Sequence, residues 1–459
     1  MQTQTASTTE SNFSSADLAE RTIHRRAVEA VIWGMSAVNT DLMYQAFINA
    51  KGADNQIAFW SHLPDWKNQT LTPNPDAIYF MPFFNTKDVG PMVIEIPPAG
   101  DDGSITGSIM DQWQSALEDA GTAGVDKGQG GKYLILPPVY KDKEPDGYIP
   151  LASQTYAGYA LLRSIPKSGS DDDVAKAVAY GKRIKLYPLS QAANPPSTKL
   201  IDCVDVVFDS TIPYDLRFFE SLNRVVQSEP WVERDKVMIN QLKTIGIEKG
   251  KDFKPDARTR DILNDAAREA RAWIDDKYEA FFKSGYYEGG RWALPGPIEL
   301  MKEMESFYAR PDIYPVDSRG VTYSYGYFCP KRLGGGSAYL LSITDKDGQP
   351  LSGDTTYRLT VPPNAPVRQY WSATVYDRAT HAPIRKAAWP SRSSQSPGIQ
   401  KNANGSVDLF FGPNPPADKE SNWVPTTADG GFEILFRFYD PEKPLYEKTW
   451  ILPDIEKVS

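Results

Sequence analysis

A mainly β, α+β fold is predicted for this chain: an N-terminal β-sandwich-like domain, a helical middle segment and a C-terminal jelly-roll-like antiparallel sandwich. Three observations predict it. The 37 prolines, 33 glycines and the 11 Trp, 24 Tyr and 19 Phe lean towards short strands joined by rigid turns. Short apolar or alternating runs dominate both ends of the chain, whereas helical spacing dominates its centre. With 459 residues, the chain exceeds the roughly 250–300 residues at which a single core stops growing. The expected divisions are a polar tail over 1–14, a β-rich domain with flanking helices over 15–200, a helical segment over 201–320 and the second sandwich over 321–459.

The elements follow in order. Ile23, Ala27, Val31, Met35 and Val38 recur at three- and four-residue spacing, so a helix is expected from Ser15 to about Ala50, capped by Ser15 or Asp17. "PMVIEIPPA" (91–99), "GSITGSIMDQW" (103–113) and "GKYLILPPVY" (131–140) read as strands bounded by Pro, Gly and Asp. "SDDDVAKAVAYGKRIKLYPL" opens with Ser170 as N-cap and carries Val174, Ala177, Val178, Ile184 and Leu186, which predicts one helix through that stretch. "DLRFFESLNRVVQ" and "TRDILNDAAREARAWIDDKYEAFF" are amphipathic helices, and their aromatic stripe is read as core. Beyond 321, "QYWSATVYD", "GSVDLFFG" and "GFEILFRFYD" alternate as strands, with Asp347-Gly348 and Ser352-Gly353 as turns. In the last of these, Phe432, Ile434, Phe436 and Phe438 share one face and Glu433, Leu435, Arg437 and Tyr439 the other.

Composition also excludes function classes. A net charge of −9 with no long basic run argues against nucleic acid and anionic membrane as partners. No run of about 18–20 apolar residues predicts a transmembrane helix. The polar "MQTQTASTTESNFSSAD" lacks a signal peptide's basic start and apolar centre and resembles a mature N-terminus after cleavage. A periplasmic or secreted location is therefore expected, or a cytoplasmic one if Met1 is the native start. Cys203 and Cys329 are read as two isolated thiols in buried strands. The chain has no G-x-S-x-G, H-E-x-x-H, C-x-x-C or Walker loop, which argues against α/β-hydrolase, zinc-protease and nucleotide chemistry. Only His24, His62 and His381 are present, so no metal site and no cofactor are expected.

The stretch "FWSHLPDWKNQTLTPNPDAIYFMPFFNTKDVGPMVIEIPPAGDDGSITGSIMDQWQSALEDAG" resembles the family named domain of unknown function 1254. "VRQYWSATVYDRATHAPIRKAAWPSRSSQSPGIQKNANGSVDLFFGPNPPADKESNWVPT" resembles its habitual partner, domain of unknown function 1214. The resemblance covers nearly the whole chain after the tail and implies the same β, helical, jelly-roll order. Members of the family often carry signal peptides, which supports export. It implies no reaction and no catalytic residues.

Candidate site residues come from the residues themselves. In "QYWSATVYDRATHAP", Trp371, Ala373 and Val375 alternate with Tyr370, Ser372, Thr374 and Tyr376 as a half-buried strand. Tyr376, Asp377 and His381 in the turn beyond it could supply an oriented acid or base, against the simpler reading of an Asp-Arg turn with a solvated histidine. Asn74, Asp76 and Tyr79 form a polar cluster with an aromatic wall, suited to a small ligand. Asp111 and Trp113 share a strand face, the acid as a fourth catalytic candidate and the indole for ligand. Arg163 on an apolar run needs a carboxylate, for which Asp76 or Asp111 would serve. Trp371 and Trp423 complete the ligand set, with Trp423 read as the pin of an ion-pair turn with Lys419 and Glu420. Two functions are open: a metal-independent hydrolase of a small ester, amide or glycoside, or a non-catalytic small-ligand, carbohydrate-binding or assembly module, with homo-oligomerisation through β faces.

Overall fold

Ser14 accepts the Asp17 backbone N–H and Asp17 returns the bond, a reciprocal cap that starts the helix Ser15–Asn49 at the expected residue, with Ser14 as the cap in place of Ser15 or Asp17. The computed structural model describes residues 14–326, 330–332 and 336–458. The expected tail, apart from residue 14, and the strand around Cys329 lie outside these residues. Among the described residues no helix is long and apolar enough to cross a membrane.

The N-terminal sheet has six strands in the order Leu200–Asp202, Gln56–Phe59, Ile78–Asn85, Ala157–Ser164, Ile105–Asp111 and Ala116–Ala120. The strand Ile78–Asn85 shows why this sheet is central. Ile78, Phe80 and Phe84 point to one core, which they share with Ile94 and Ile135 of a second, four-stranded sheet. Tyr79, Met81 and Phe83 point to another core, shared with the first helix and with the helices Leu216–Ser228 and Ala257–Ala280. Sheet, sheet and helical layer are thus stacked, and the first helix is buried almost all round from Ala27 to Phe47. Close strand approach demands glycine at one point: a Cβ on Gly107 would sit 1.9 Å from the Leu161 carbonyl oxygen.

One expected helix is shorter than its apolar spacing suggested. The helix after the Ser170 cap ends at Gly181, and Lys185–Pro188 is a strand paired with Met92–Ile96. Ile184 and Leu186 fit both periods, and sheet pairing decides between them. Cys203 is buried and falls just after the strand Leu200–Asp202 instead of inside one.

The C-terminal sandwich packs the sheet Ser337–Ser342, Phe432–Tyr439, Trp371–Asp377, Ser391–Ser393 on the sheet Trp423–Pro425, Val407–Gly412, Tyr357–Val361, Glu456–Lys457. Trp371, Val375, Ile434, Phe436 and Leu409 fill the space between. The pair Val407–Gly412 and Trp423–Pro425 is parallel, so the sandwich is not antiparallel throughout. The strand Trp371–Asp377 is not half-buried, because both of its faces are covered up to Asp377.

The cover is the N-terminal domain's loop 72–76, laid across the outer face of the first of these sheets. Arg437 donates to the Thr374 hydroxyl (2.8 Å), to the Tyr376 hydroxyl (2.6 Å) and to the carbonyls of Thr72 (2.8 Å) and Pro73 (3.3 Å). Tyr376 in turn donates to the Pro73 carbonyl, and the Thr72 N–H donates to the His381 carbonyl at 2.7 Å. Across the molecule, buried Glu229 ends the helix Leu216–Ser228 and accepts the N–H groups of Tyr156 (2.6 Å) and Ala157 (3.1 Å), where the strand Ala157–Ser164 begins. Burial pushes its carboxyl up to about 7 from 4.5, against the pull of those two donors.

Two outcomes are expected. Between pH 4.5 and 7 the folded state holds more of the Glu229 proton than the unfolded chain does. Stability from this group is therefore full below about 4.5 and falls by up to about 3 kcal/mol as pH rises through about 7. Urea midpoints at pH 5, 6, 7 and 8 should show this fall in wild type and a flatter profile in Glu229→Gln; parallel profiles would refute the assignment. Arg437→Met leaves the Thr72 carbonyl and the Tyr376 hydroxyl short of a buried donor, removes one of the two donors to the Pro73 carbonyl, and should cost about 3 kcal/mol or more in a denaturant titration. A change below about 1 kcal/mol would show that the loop is held by other contacts.

Candidate functional site

The loop 72–76 also builds a polar cluster. Asn74 Oδ1 accepts the Asp76 backbone N–H at 3.0 Å, which orients the amide so that its Nδ2 donates to the hydroxyls of Tyr370 (2.9 Å) and Tyr439 (2.6 Å). The Asn74 backbone N–H donates to the Tyr79 hydroxyl at 2.7 Å. Ser337 donates to the Tyr339 hydroxyl at 2.6 Å. Burial raises the phenols of Tyr370 and Tyr439 well above their ordinary range, so both stay protonated. A guanidinium can only donate, so what Tyr79 and Tyr439 can offer to an arginine beside them is an oxygen lone pair and not their protons.

In front of them lies Arg163, 9% exposed, with its guanidinium over the Tyr79 ring (5.5 Å) and in the field of the Tyr79, Tyr439 and Tyr339 hydroxyls. It lines two adjoining cavities between the domains. The larger, about 350 Å³, runs past Tyr339 and Tyr439 to Ser108 and Asp119 on one side and to the apolar Leu294, Ile298, Leu300, Met301 and Met304 on the other. The smaller, about 70 Å³, shares Arg163, Pro295, Thr322 and Tyr339 with it and reaches Tyr79, Tyr325 and Arg437. On the larger cavity's wall the Ser108 hydroxyl donates to Asp119 at 2.7 Å. Burial raises the Asp119 carboxyl despite that donor and the backbone N–H groups of Lys331 and Arg332.

The structure thus brings together Asn74, Tyr79 and Arg163 from the expected set. Asp76 lies on the same loop, but its carboxylate is held by Ser391 at 2.9 Å and faces a different cavity. Other candidates are used elsewhere. Asp111 accepts the N–H groups of Trp113 (2.9 Å) and Ser115 (2.8 Å) and braces the turn after its strand. Trp113 lies beyond the end of that strand, not on a shared strand face, and packs on Trp33 at 4.8 Å. Asp377 accepts the N–H groups of Ala379 and Thr380, which is the turn role of its simpler reading. Tyr376 is engaged by Arg437 and Pro73. Trp371 stacks on Phe436 in the sandwich core. Half-buried Trp423 donates to the Gly412 carbonyl and meets Trp389 edge-on, while Lys419 donates to Gln400.

His381 corrects both of its sequence readings. It is buried, not solvated, and its partner is Glu433 (2.8 Å), not Asp377. Glu433 also accepts the Tyr278 hydroxyl (2.7 Å), and the rings of Tyr278 and Tyr325 enclose the imidazole. His24 pairs with Glu269 at 2.7 Å and His62 is exposed, so the three histidines occupy separate places. Among the described residues no three His, Cys, Asp or Glu side chains converge to hold a metal ion. Sequence reasoning missed Glu433, Arg437, Tyr339 and Tyr439. A signal for three of them was present in "GFEILFRFYD", where two charged groups and a tyrosine share the face opposite four apolar side chains.

Comparison with known proteins agrees with this architecture. The crystal structure of the VPA0106 protein from Vibrio parahaemolyticus is similar over 95% of this chain and 100% of that one, with a TM-score of 0.58 and 15% identity, a likeness of fold. An uncharacterized protein from Burkholderia cenocepacia aligns over 96% of each chain with a TM-score of 0.43 and 11% identity. No curated protein matches the chain. The family described as "Protein of unknown function (DUF1254)" matches residues 55–188, and "Protein of unknown function (DUF1214)" matches residues 336–443. The chain thus carries a DUF1254 region followed by a DUF1214 region.

Proposed function

We propose that the larger inter-domain cavity binds a small amphipathic anion, a carboxylate with an apolar body. The observation that carries this reading is the buried Arg163 guanidinium set among tyrosine hydroxyls at one end of a cavity whose far wall is Leu294, Ile298, Leu300, Met301 and Met304. Guanidinium and phenol groups together present N–H and O–H donors, which suit an anion and disfavour an amine. The apolar wall supplies affinity, and the donors set orientation.

A hydrolase reading rests on a second observation. The donors that would hold a carboxylate would equally stabilise the oxyanion of ester or amide cleavage, and the Ser108–Asp119 pair stands on the same cavity's wall. Among the described residues no histidine lines this cavity, and the Ser108–Asp119 pair is the nucleophile and base that such a reaction would use.

Melting shifts and calorimetry with octanoate, octylamine and p-nitrophenyl octanoate test both readings. Octanoate should raise the melting temperature and octylamine should not. Arg163→Met should weaken octanoate at least tenfold and Tyr439→Phe about three- to tenfold, consistent with about 1–3 kcal/mol for a hydrogen bond to a charged group. Equal shifts from the acid and the amine, or unchanged octanoate affinity in Arg163→Met, would sink the binding proposal. Release of p-nitrophenol that disappears in folded Asp119→Asn would establish hydrolysis; no release leaves binding as the function.

A further inference from the structure

Two residues beyond Asn74, the same loop presents Asp76 to a separate cavity of about 260 Å³, whose opposite wall comes from the C-terminal domain and includes Trp389 and Arg392. Here a carboxylate and a guanidinium face one space without meeting. The described residues include no ion pair between Asp76 and Arg392, nor any carboxylate in contact with Arg392.

Each charge is held in its place from behind. The Ser391 hydroxyl donates to the Asp76 carboxylate at 2.9 Å. The Arg392 guanidinium lies over the Trp389 ring at 4.5 Å and donates to the Glu420 carbonyl at 3.1 Å. Trp389 is fixed in turn by its own N–H, which donates to the Trp423 carbonyl at 2.8 Å. Among the described residues the buried Nε of Arg392 has no hydrogen-bond partner. Desolvation weakens the hold of Arg392 on its proton, down to about 10, with only the more distant Asp76 opposing that effect. Two half-buried opposite charges would gain by direct contact, yet among the described residues no ion pair joins them across the cavity.

We propose that this cavity is a binding site for a small zwitterion of the amino-acid class, its carboxylate on Arg392 and its ammonium on Asp76. The outer guanidinium nitrogens of Arg392, only part of whose donors are used by the Ser391 and Glu420 carbonyls, can donate to a carboxylate, and Asp76 both accepts from an ammonium and repels a second negative charge. Serine hydroxyls between the two charges can accept or donate to the remaining polar atoms of the ligand. This site is separate from the amphipathic-anion cavity: among the described residues, none that lines the one lines the other.

The test is isothermal titration of the wild-type protein with each of the twenty amino acids, and with propionate and ethylamine as single-charge halves. At least one amino acid should bind, and both halves should bind at least tenfold more weakly. Arg392→Gln should lose that affinity at least tenfold, and Arg163→Met should keep it. Asp76→Asn should lose it likewise; since Asp76 also ties the loop to Ser391, the wild-type comparison with propionate stands in for it should the variant not fold. Absence of binding by every amino acid, propionate binding as tightly as the best of them, or affinity unchanged in Arg392→Gln would each overturn the proposal.

Discussion

The buried guanidinium of Arg437 is the constraint on which the arrangement of the two domains depends. A cation without water must be surrounded by acceptors, and four of them meet it: two carbonyls from the loop 72–76 and two hydroxyls from its own sheet. Neither domain alone supplies that set. The carbonyls of Thr72 and Pro73 have no partner inside a regular strand, and proline at positions 73 and 75 keeps this segment from joining a sheet ladder. Loop and arginine therefore satisfy each other, and the C-terminal sheet has a covered polar face in place of a solvated one.

That cover explains where the cavities are. A flat, polar sheet face packed on a proline-rich loop does not interdigitate as two apolar surfaces do, so space remains on both sides of the contact. On one side Asn74 holds the hydroxyls of Tyr439 and Tyr370, of which Tyr439 lines the cavity of Arg163; on the other Asp76 meets Ser391 of the strand Ser391–Ser393. Both spaces carry charge because the loop that separates them is itself held by charge and hydrogen bonds. Rigid walls of this kind are pre-organised, and a ligand entering them need order little of the protein.

Much of the fold was legible in the sequence, for a physical reason. The alternation of Phe432, Ile434, Phe436 and Phe438 with Glu433, Leu435, Arg437 and Tyr439 is a local property of a strand, and so is the Ser170 cap of the helix Asp171–Gly181. The end of that helix was not legible, because Ile184 and Leu186 satisfy both periods and the deciding partner, Met92–Ile96, lies some ninety residues away. The site was legible in part. Asn74, Tyr79 and Arg163 declare themselves as polar groups on apolar runs. Pairing is a long-range property, so the Glu433 partner of His381, 52 positions away, was invisible while Asp377 stood close by.

The same distinction bears on what His381 does. A histidine, a carboxylate and a tyrosine hydroxyl in sequence of hydrogen bonds have the components of an acid–base relay, and composition alone would favour that use. Their positions argue for another one. Tyr278 belongs to the helix Ala257–Ala280, Glu433 to the central strand of the C-terminal sheet and His381 to the turn whose carbonyl receives the Thr72 N–H. Three separate parts of the chain are thus tied at one buried carboxylate, and none of the three side chains lines either cavity beside Arg163. Glu433 accepts from both partners within 2.8 Å, which stabilises a buried charge and leaves it poorly placed to serve a substrate. Polar groups gathered on one strand face therefore divide into two uses: Glu433 and Arg437 join the domains, whereas Tyr439, farther along the strand, opens on the ligand cavity.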